Sequence, residues 1–288
     1  MNILVCIKQV VDSSMSLAID TTTSDICYDD VAWVPNPADL AAIQMASSIR
    51  DHLGEGQVIA LSIGPQRVHS ALRKSLALGA DRGVRLDAQA AIAAEAVVFL
   101  LAAATKQLEC SLVLCGNQAM DTLSGYTGIA LSVALEWPIV SLVTQFVDIE
   151  KQRSLVLQRR VDGGRHEVVQ VDFPAVLTCE LGSSELHYPS LPLLMKSVTT
   201  PIAVLTPRDI GVSASTLSRE ARVKAVGISP PRPRPKKIFT PDSDLAATER
   251  IKQIMSGGLA QRHSDILEGT SREVAVALVN QLRQRKLV

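Results

Sequence analysis

The residues from Gly116 to Gly128 are those in the chain best suited to bind a ligand. They read GNQAMDTLSGYTG, so small and hydroxyl-bearing residues directly follow an apolar run, where a buried strand is expected to turn into a helix. Backbone N–H groups at such a helix N-terminus can bind phosphate. Asp121, Thr122 or Ser124 could instead serve only to cap the helix that follows. The sequence alone leaves phosphate binding and capping both open.

Catalytic motifs are missing from the rest of the sequence. Neither G-x-G-x-x-G after the first apolar run nor G-x-x-x-x-G-K-[ST] occurs, which disfavours a standard dehydrogenase or NTPase. The five histidines form no H-E-x-x-H and no serine lies in G-x-S-x-G, so neither a metalloenzyme nor a hydrolase is indicated. The five cysteines include no C-x-x-C pair, which fits a reducing compartment. We expect no catalytic residue and no metal site.

Buried strands and amphipathic helices alternate through the first part of the chain. Short apolar runs at 3–6, 58–63, 83–86 and 112–115 are typical of buried parallel strands, and helical spacing covers 39–53, 66–78 and 90–108. This order predicts an α/β fold with a Rossmann-like, doubly wound parallel sheet. Ligands of such sheets bind beyond the carboxyl ends of strands, so the loops after Cys6, Ile63 and Cys115 are candidate binding elements.

The later part of the chain has a different pattern. Alternating segments at 154–160 and 167–171, joined by Asp162-Gly163-Gly164, predict an antiparallel hairpin. We expect the α/β domain to span 1–196, a Pro-rich extended linker to span 197–241, and a C-terminal helical arm to span 242–288. The arm shows helical spacing at 245–255 and 271–285 and needs a surface to pack against.

Composition and charge exclude several classes of partner. Lys plus Arg equal Asp plus Glu at 29 each, which argues against general binding to nucleic acid or to an anionic membrane. The longest apolar stretch, 88–104, contains Gln89 and Glu95, so a buried helix is expected and not a membrane span. Lys8 and Asp12 interrupt the first apolar run, so no signal peptide is indicated. We expect a cytoplasmic protein without direct membrane insertion.

An ordered series of motifs runs through nearly the whole chain. It comprises VCIKQVVD from Val5, NP from Asn36, SIGP from Ser62, ALGADRG from Ala77, LCGNQAMD from Leu114, EWP from Glu136, VDGG from Val161, PAVLT from Pro174 and YPSLPLLMK from Tyr188. In these residues the chain resembles the beta subunit of electron transfer flavoproteins, the ETF-beta/FixA family.

The resemblance implies an adenine nucleotide alpha hydrolase-like fold and a heterodimer with an electron transfer flavoprotein alpha subunit, on which the C-terminal arm at 242–288 is expected to pack. It implies a carrier that takes electrons from acyl-CoA or related dehydrogenases toward a quinone reductase, with the redox-active FAD mainly on the alpha subunit. It also implies a structural AMP in this subunit. The positions that match the family's nucleotide contacts are Cys6, Asn36, Ile63, Gln118, Asp121, Thr122, Ser124, Gly125, Tyr126 and Thr127.

The resemblance further implies a partner-recognition loop at 185–196, in which Leu191 inserts into a hydrophobic pocket of the dehydrogenase. The partner-binding residues carried over are Tyr188, Leu191, Pro192, Met195 and Lys196. The arrangement is physically reasonable, because a leucine between two prolines presents an apolar anchor at a low entropic cost.

Two departures from the family pattern bear on function. Tyr126 replaces an amide of the D-G-D-T-x-Q-V-G pattern found in bifurcating relatives, and Arg160 stands where many members have an acidic residue. The Tyr126 departure favours AMP over a second FAD in this chain. One alternative is a bifurcating subunit that binds a second FAD in this chain and accepts electrons from NADH. A further alternative is a stand-alone nucleotide-binding protein of the universal-stress type.

Overall fold

A computed structural model describes residues 1–20, 22–23, 25–29, 31–88, 93–150, 153–183, 187–220, 223, 228, 240–255 and 266–284. The chain divides into two compact units, Met1–Pro230 and Pro231–Val288. The first unit is built around a nine-stranded, mostly parallel sheet with helices on both faces, which confirms the predicted α/β class.

The strands of the first unit form one large sheet and two small antiparallel pairs. The strands are β1 (Asn2–Cys6), β2 (Gln9–Val11), β3 (Ala18–Asp20), β4 (Asp25–Cys27), β5 (Trp33–Pro35), β6 (Gln57–Ile63), β7 (Arg82–Leu86), β8 (Cys110–Gly116), β9 (Ile139–Glu150), β10 (Ser154–Arg160), β11 (His166–Asp172), β12 (Ala175–Cys179) and β13 (Ile202–Leu205). The large sheet has the order β11-β10-β9-β12-β8-β1-β6-β7-β13, while β2 pairs with β5 and β3 with β4. The two small pairs were not predicted.

Helices connect the parallel strands. The helices of the first unit are α1 (Pro37–Leu53), α2 (His69–Ala77), α3 (Ala94–Gln107), α4 (Tyr126–Leu135), α5 (Leu191–Thr199) and α6 (Ala214–Glu220). Helix α1 ends at Gly54, whose φ of 70° gives the left-handed cap expected at a helix C-terminus. The start predicted for α3, at 90, lies outside the described residues.

The core occupies both faces of the sheet. Ile3 and Val5 of β1 pack in one buried cluster together with residues of α1 and α2, and Leu4 packs in the other with residues of α3 and α4. Alternate residues of a strand point to opposite faces, so a strand covered by helices on both faces is apolar throughout. This explains why β1 reads as a continuous apolar run.

The antiparallel excursion lies at one edge of the large sheet. Strand β9 pairs with β12 in parallel and with β10 in antiparallel, and β10 pairs with β11. The turn between β10 and β11 is the predicted Asp162-Gly163-Gly164. Arg160 at the end of β10 forms an ion pair of 2.5 Å with Glu180.

The α/β unit continues past the predicted boundary at 196. Strand β13 pairs in parallel with β7 at the other edge of the sheet, with Ile202 opposite Gly83, and α6 packs on α3. The first half of the expected linker at 197–241 therefore differs from the structure, because the unpaired backbone groups at the edge of β7 bind a further strand. The Pro-rich residues 229–239 lie outside the described part.

The second unit contains two amphipathic helices in its described part. These are α7 (Ala247–Met255) and α8 (Ser271–Gln284). Both were predicted from helical spacing. Ile251, Ile254 and Met255 of α7 are exposed, as are Val276 and Val279 of α8.

Candidate functional site

Three strand ends meet at the carboxyl edge of the large sheet. Strand β1 lies between β8 and β6 and runs parallel to both. The chain moves from β1 outward to β6 and β7, then returns to β8 on the other side of β1, so the strand order reverses between β1 and β8. Open α/β sheets bind ligands at such a reversal point. Cys6, Ile63 and Gly116 end the three strands at this point.

The loop between β8 and α4 presents a helix N-terminus to this point. Gly125 precedes α4 with a φ of 59° and a ψ of 12°, a left-handed conformation that glycine adopts without strain. Within the described residues, no side chain makes a capping hydrogen bond to α4. The alternative that Asp121, Thr122 or Ser124 serves as a helix cap is therefore wrong, and the first N–H groups of α4 remain available to an anion.

Asn36 ties this loop to the start of α1. Its side-chain Nδ2 donates to the carbonyl of Gln118 at 3.2 Å, and its Oδ1 accepts from the backbone N–H of Met120 at 3.2 Å. The side chain is 1% exposed. A buried amide with both of its ends bonded to one loop fixes that loop in place.

Asp39 connects the ends of β1 and β8. Its Oδ2 accepts from the backbone N–H of Lys8 at 2.8 Å, and its Oδ1 accepts from the N–H of Gly116 at 2.8 Å and from Nδ2 of Asn36 at 3.1 Å. Burial raises the pKa of Asp39 to about 6, while these hydrogen bonds favour its ionised form. Reasoning from the sequence did not select Asp39.

Lys8 supplies a positive charge beside the loop. Its Nζ forms an ion pair of 2.7 Å with Oδ1 of Asp121, and both side chains are partly exposed. Lys8 also was not selected, although it lies two residues after the end of β1, in the loop where residues reach the ligand of such a fold. The pair joins the loop after β1 to the loop after β8.

The thiols at this point are not nucleophiles. Cys6 is buried at the end of β1, and burial raises the pKa of its thiol well above the ordinary value. Burial likewise raises the pKa of Cys115 to about 12. Neutral thiols are weak nucleophiles and weak ligands, so these side chains line the site as small apolar groups.

The structure brings together some of the predicted nucleotide residues more closely than others. Asn36 is hydrogen-bonded to the carbonyl of Gln118, and Asp121 forms an ion pair with Lys8. Cys6 and Ile63 end the neighbouring parallel strands β1 and β6, and the cleft where the strand order reverses lies between β1 and β8. The remaining members lie on the loop and on the first turn of α4: Thr122, Ser124 and Tyr126 are exposed, and Gly125 and Thr127 are half-buried.

The predicted partner-binding residues lie on and before α5. Leu191 is the first residue of α5 and is 69% exposed, while Tyr188 is 98% exposed. Pro192, Met195 and Lys196 are exposed along the same helix. The expected loop is thus partly a helix, because Ser190 and Pro192 are typical of a helix start. Residues 184–186, including Glu185, lie outside the described part.

Helix α5 is held on α2 by a half-buried arginine. The guanidinium of Arg73 donates to the carbonyls of Ser197 and Thr200 near the C-terminus of α5. A cation at a helix C-terminus also interacts favourably with the helix dipole. These contacts fix the orientation of α5 and leave its apolar side chains at the surface.

Among the described helices, none combines the length and apolar character needed to cross a membrane.

Comparison with known proteins identifies relatives across the chain. Residues 26–210 match the family described as the electron transfer flavoprotein domain. The human electron transfer flavoprotein subunit beta is 30% identical over 258 residues, which are 88% of this chain and 99% of that protein. The corresponding subunit of Methylophilus methylotrophus is 28% identical over 93% of this chain and 97% of its own length. A caffeyl-CoA reductase-Etf complex subunit, CarD of Acetobacterium woodii, is 30% identical over the full length of both chains.

Proposed function

Because the chain belongs to the electron transfer flavoprotein beta subunit family, we propose that it forms a heterodimer with an alpha subunit and holds a structural AMP. The heterodimer transfers electrons from an acyl-CoA-type dehydrogenase toward a quinone reductase. The flavin, bound mainly by the alpha subunit, supplies the redox chemistry. This chain binds the nucleotide, supports the flavin-bearing partner and presents a docking surface.

The observation that carries the nucleotide assignment is the uncapped N-terminus of α4 at the point where the strand order reverses. Its N–H groups suit a phosphate, and Lys8 adds a positive charge within reach of the same loop. Cys6 and Ile63 offer an apolar lining on the adjacent strand ends for the base. Tyr126, which replaces an amide of the nucleotide-loop pattern of bifurcating relatives, favours AMP over FAD in this chain.

The first test is a count of bound nucleotides. The chain is co-expressed with its alpha subunit, the purified complex is denatured, and the released nucleotides are separated and quantified by chromatography. One FAD and one AMP per heterodimer is the expected result. A chain that purifies alone and without flavin would contradict the proposal and favour the universal-stress alternative.

A second candidate is the bifurcating subunit with a second FAD in this chain and NADH as electron donor. It is favoured by the match to CarD, which extends through the C-terminal unit to the full length of both chains. Two FAD molecules and no AMP in the released nucleotides would select it. NADH-dependent reduction of the purified complex would then follow as a second observation.

The helix α5 is proposed to dock the electron-donating dehydrogenase. Its exposed side chains Leu191, Met195 and Val198 form an apolar surface that α2 does not cover. A small apolar contact of this kind suits a transient encounter, since a weak interface dissociates rapidly after electron transfer.

We therefore expect Leu191→Ala to reduce the rate at which the dehydrogenase reduces the heterodimer by about tenfold, the loss typical of an interface anchor. Val168→Ala is the matched control, because Val168 is equally exposed but lies on β11 at the opposite edge of the sheet. Stopped-flow reduction of the flavin measures both. Equal rates for the two variants would exclude Leu191 as an anchor.

A further inference from the structure

We propose that Asp39 is a positioning residue of the nucleotide site, whose carboxylate joins the loops after β1 and β8 and fills the anion position at the start of α1. The phosphate is thereby directed to the loop before α4. This inference rests on the proposed function, since it concerns the site that the nucleotide would occupy.

The position of the carboxylate is the first argument. In doubly wound folds the N-terminus of the helix that follows the first strand commonly receives the ligand's phosphate. Here Asp39 lies in the first turn of that helix and is only 4% exposed. Its own negative charge is placed where the helix dipole favours an anion. A second anion at the same position would meet like charge in a buried environment, so the phosphate needs another helix N-terminus.

Close packing against Gly116 is the second argument. A Cβ on Gly116 would collide with Oδ1 of Asp39 and would lie 2.8 Å from the Cβ of Ala38. The strand end thus approaches the first turn of α1 so closely that only glycine fits. No space is left there for a ligand group between β8 and α1.

The third argument is that the hydrogen bonds of Asp39 hold both loops of the site, the one after β1 and the one after β8. The N–H of Lys8, which Asp39 binds, belongs to the residue whose Nζ reaches Asp121 at 2.7 Å. Asn36, which Asp39 also binds, holds the carbonyl of Gln118 and the N–H of Met120. Loss of the carboxylate would therefore release the loop after β1 and loosen the loop after β8 together.

Protonation of Asp39 can distinguish a role in positioning the nucleotide from a role in stabilising the fold. The titratable groups facing Asp39 are Lys8 and the thiols of Cys6, Cys115 and Cys179. The pKa values of these thiols are raised by burial, so they do not ionise near neutral pH. A proton on Oδ2 would point at the N–H of Lys8 and remove that hydrogen bond.

Lowering the pH is expected to change the stability of the fold and the retention of the nucleotide in opposite directions. The pKa of Asp39 in the folded chain, about 6, lies above the ordinary value of 3.8. The folded state therefore binds the proton more tightly than the unfolded state, and protonation as the pH falls through 6 favours folding. Positioning, in contrast, needs the ionised form, so nucleotide retention is expected to weaken over the same range.

The test uses the co-expressed heterodimer and isotope-labelled AMP. In the variant Asp39→Asn, AMP is expected to dissociate about tenfold faster than in the wild type at pH 7.5, since a charged acceptor of two backbone N–H groups is replaced by a neutral amide. Asp209→Asn is the matched control, because Asp209 also accepts hydrogen bonds, from Thr206, but is exposed and outside the cleft. Dissociation from the control is expected to match the wild type.

The pH profile is the second readout. Between pH 7.5 and 5 the wild type is expected to lose AMP progressively faster while its melting temperature rises relative to that of Asp39→Asn. A phosphomonoester itself titrates near pH 6, so the difference between the two proteins isolates Asp39. Should Asp39→Asn not assemble, the wild-type profile is measured with labelled adenosine, which carries no phosphate.

The possible outcomes distinguish a failure of the role of Asp39 from a failure of the nucleotide assignment. AMP dissociation that is equal in wild type and Asp39→Asn at every pH, or an adenosine profile without a pH dependence, would overturn the role of Asp39 alone. A wild-type heterodimer that binds neither AMP nor adenosine would overturn the nucleotide assignment, and the role of Asp39 with it.

Discussion

At the scale of single residues, Gly128 sets how closely α4 can approach the sheet. A Cβ at this position would collide with Cγ2 of Thr178 and would lie 2.9 Å from Sγ of Cys115. Both neighbours are buried on strands, so neither can move aside freely. The first turn of α4 is therefore held against β8 and β12 by the absence of a side chain.

We expect Gly128→Ala to destabilise the chain by about 1–3 kcal/mol, the usual effect of overpacking a core, and to lower the AMP content of the heterodimer. Gly83→Ala is the control, because a Cβ there would make ordinary contacts of 3.4 Å with Ile202 and 3.5 Å with Leu76. Thermal unfolding and the nucleotide count measure the two effects. An AMP content unchanged by Gly128→Ala would show that the nucleotide does not depend on the position of α4.

The site residues differ in how readily the sequence identifies them. The segment from Gly116 to Gly128 is contiguous and lies between a strand and a helix, so both its composition and the family resemblance select it. Lys8 and Asp39 act through contacts with residues 113 and 77 positions away. No short sequence motif therefore contains both Lys8 or Asp39 and its partner. The partners come close only because β1 pairs with β8.

At the scale of elements, the buried parallel strands β1, β6, β7 and β8 and the edge hairpin of β10 and β11 were predicted, whereas the buried strand β12 and the edge strand β13 were missed. Strands covered on both faces, such as β1 and β8, are continuous apolar runs, and this signal is strong. Strand β13 has four residues, of which Ala203 and Val204 are exposed, and it directly follows α5 in a stretch where no strand was predicted. Its position is set by the edge of β7, which is a tertiary contact that a sequence window does not contain.

The predicted α/β unit ends at 196, whereas the first unit of the structure ends at Pro230, and truncation can test which boundary holds. A chain ending at 196 lacks β13 and leaves the edge of β7 open, whereas a chain ending at 230 retains the pairs from Ile202–Gly83 to Leu205–Leu86. An open strand edge promotes aggregation. We expect the shorter chain to be largely insoluble and the longer one to be soluble.

Sedimentation of the two lysates and hydrogen exchange of the β7 amides measure the outcome. The amides of β7 should be protected in the chain ending at 230. A chain ending at 196 that is equally soluble and equally protected would show that β13 is dispensable and would restore the predicted boundary.

At the scale of the whole molecule, the second unit exposes more apolar side chain than a free helical segment is expected to carry. On α7, Ile251, Ile254 and Met255 are between 57% and 83% exposed, and they recur at helical spacing. An amphipathic helix in water gains its stability mainly from the burial of its apolar face. We therefore propose that the alpha subunit covers α7 and α8 in the heterodimer.

Hydrogen exchange of the chain alone and of the heterodimer tests this proposal. Amides of α7 and α8 are expected to exchange at least about tenfold more slowly in the heterodimer, because each helix is then stabilised by a buried face. Amides of α1, whose apolar side chains are already buried in the first unit, serve as the internal control and should change little. If α7 and α8 exchange equally fast in both samples while the heterodimer remains intact, the alpha subunit is held by the first unit alone, and the apolar faces of the second unit serve another partner.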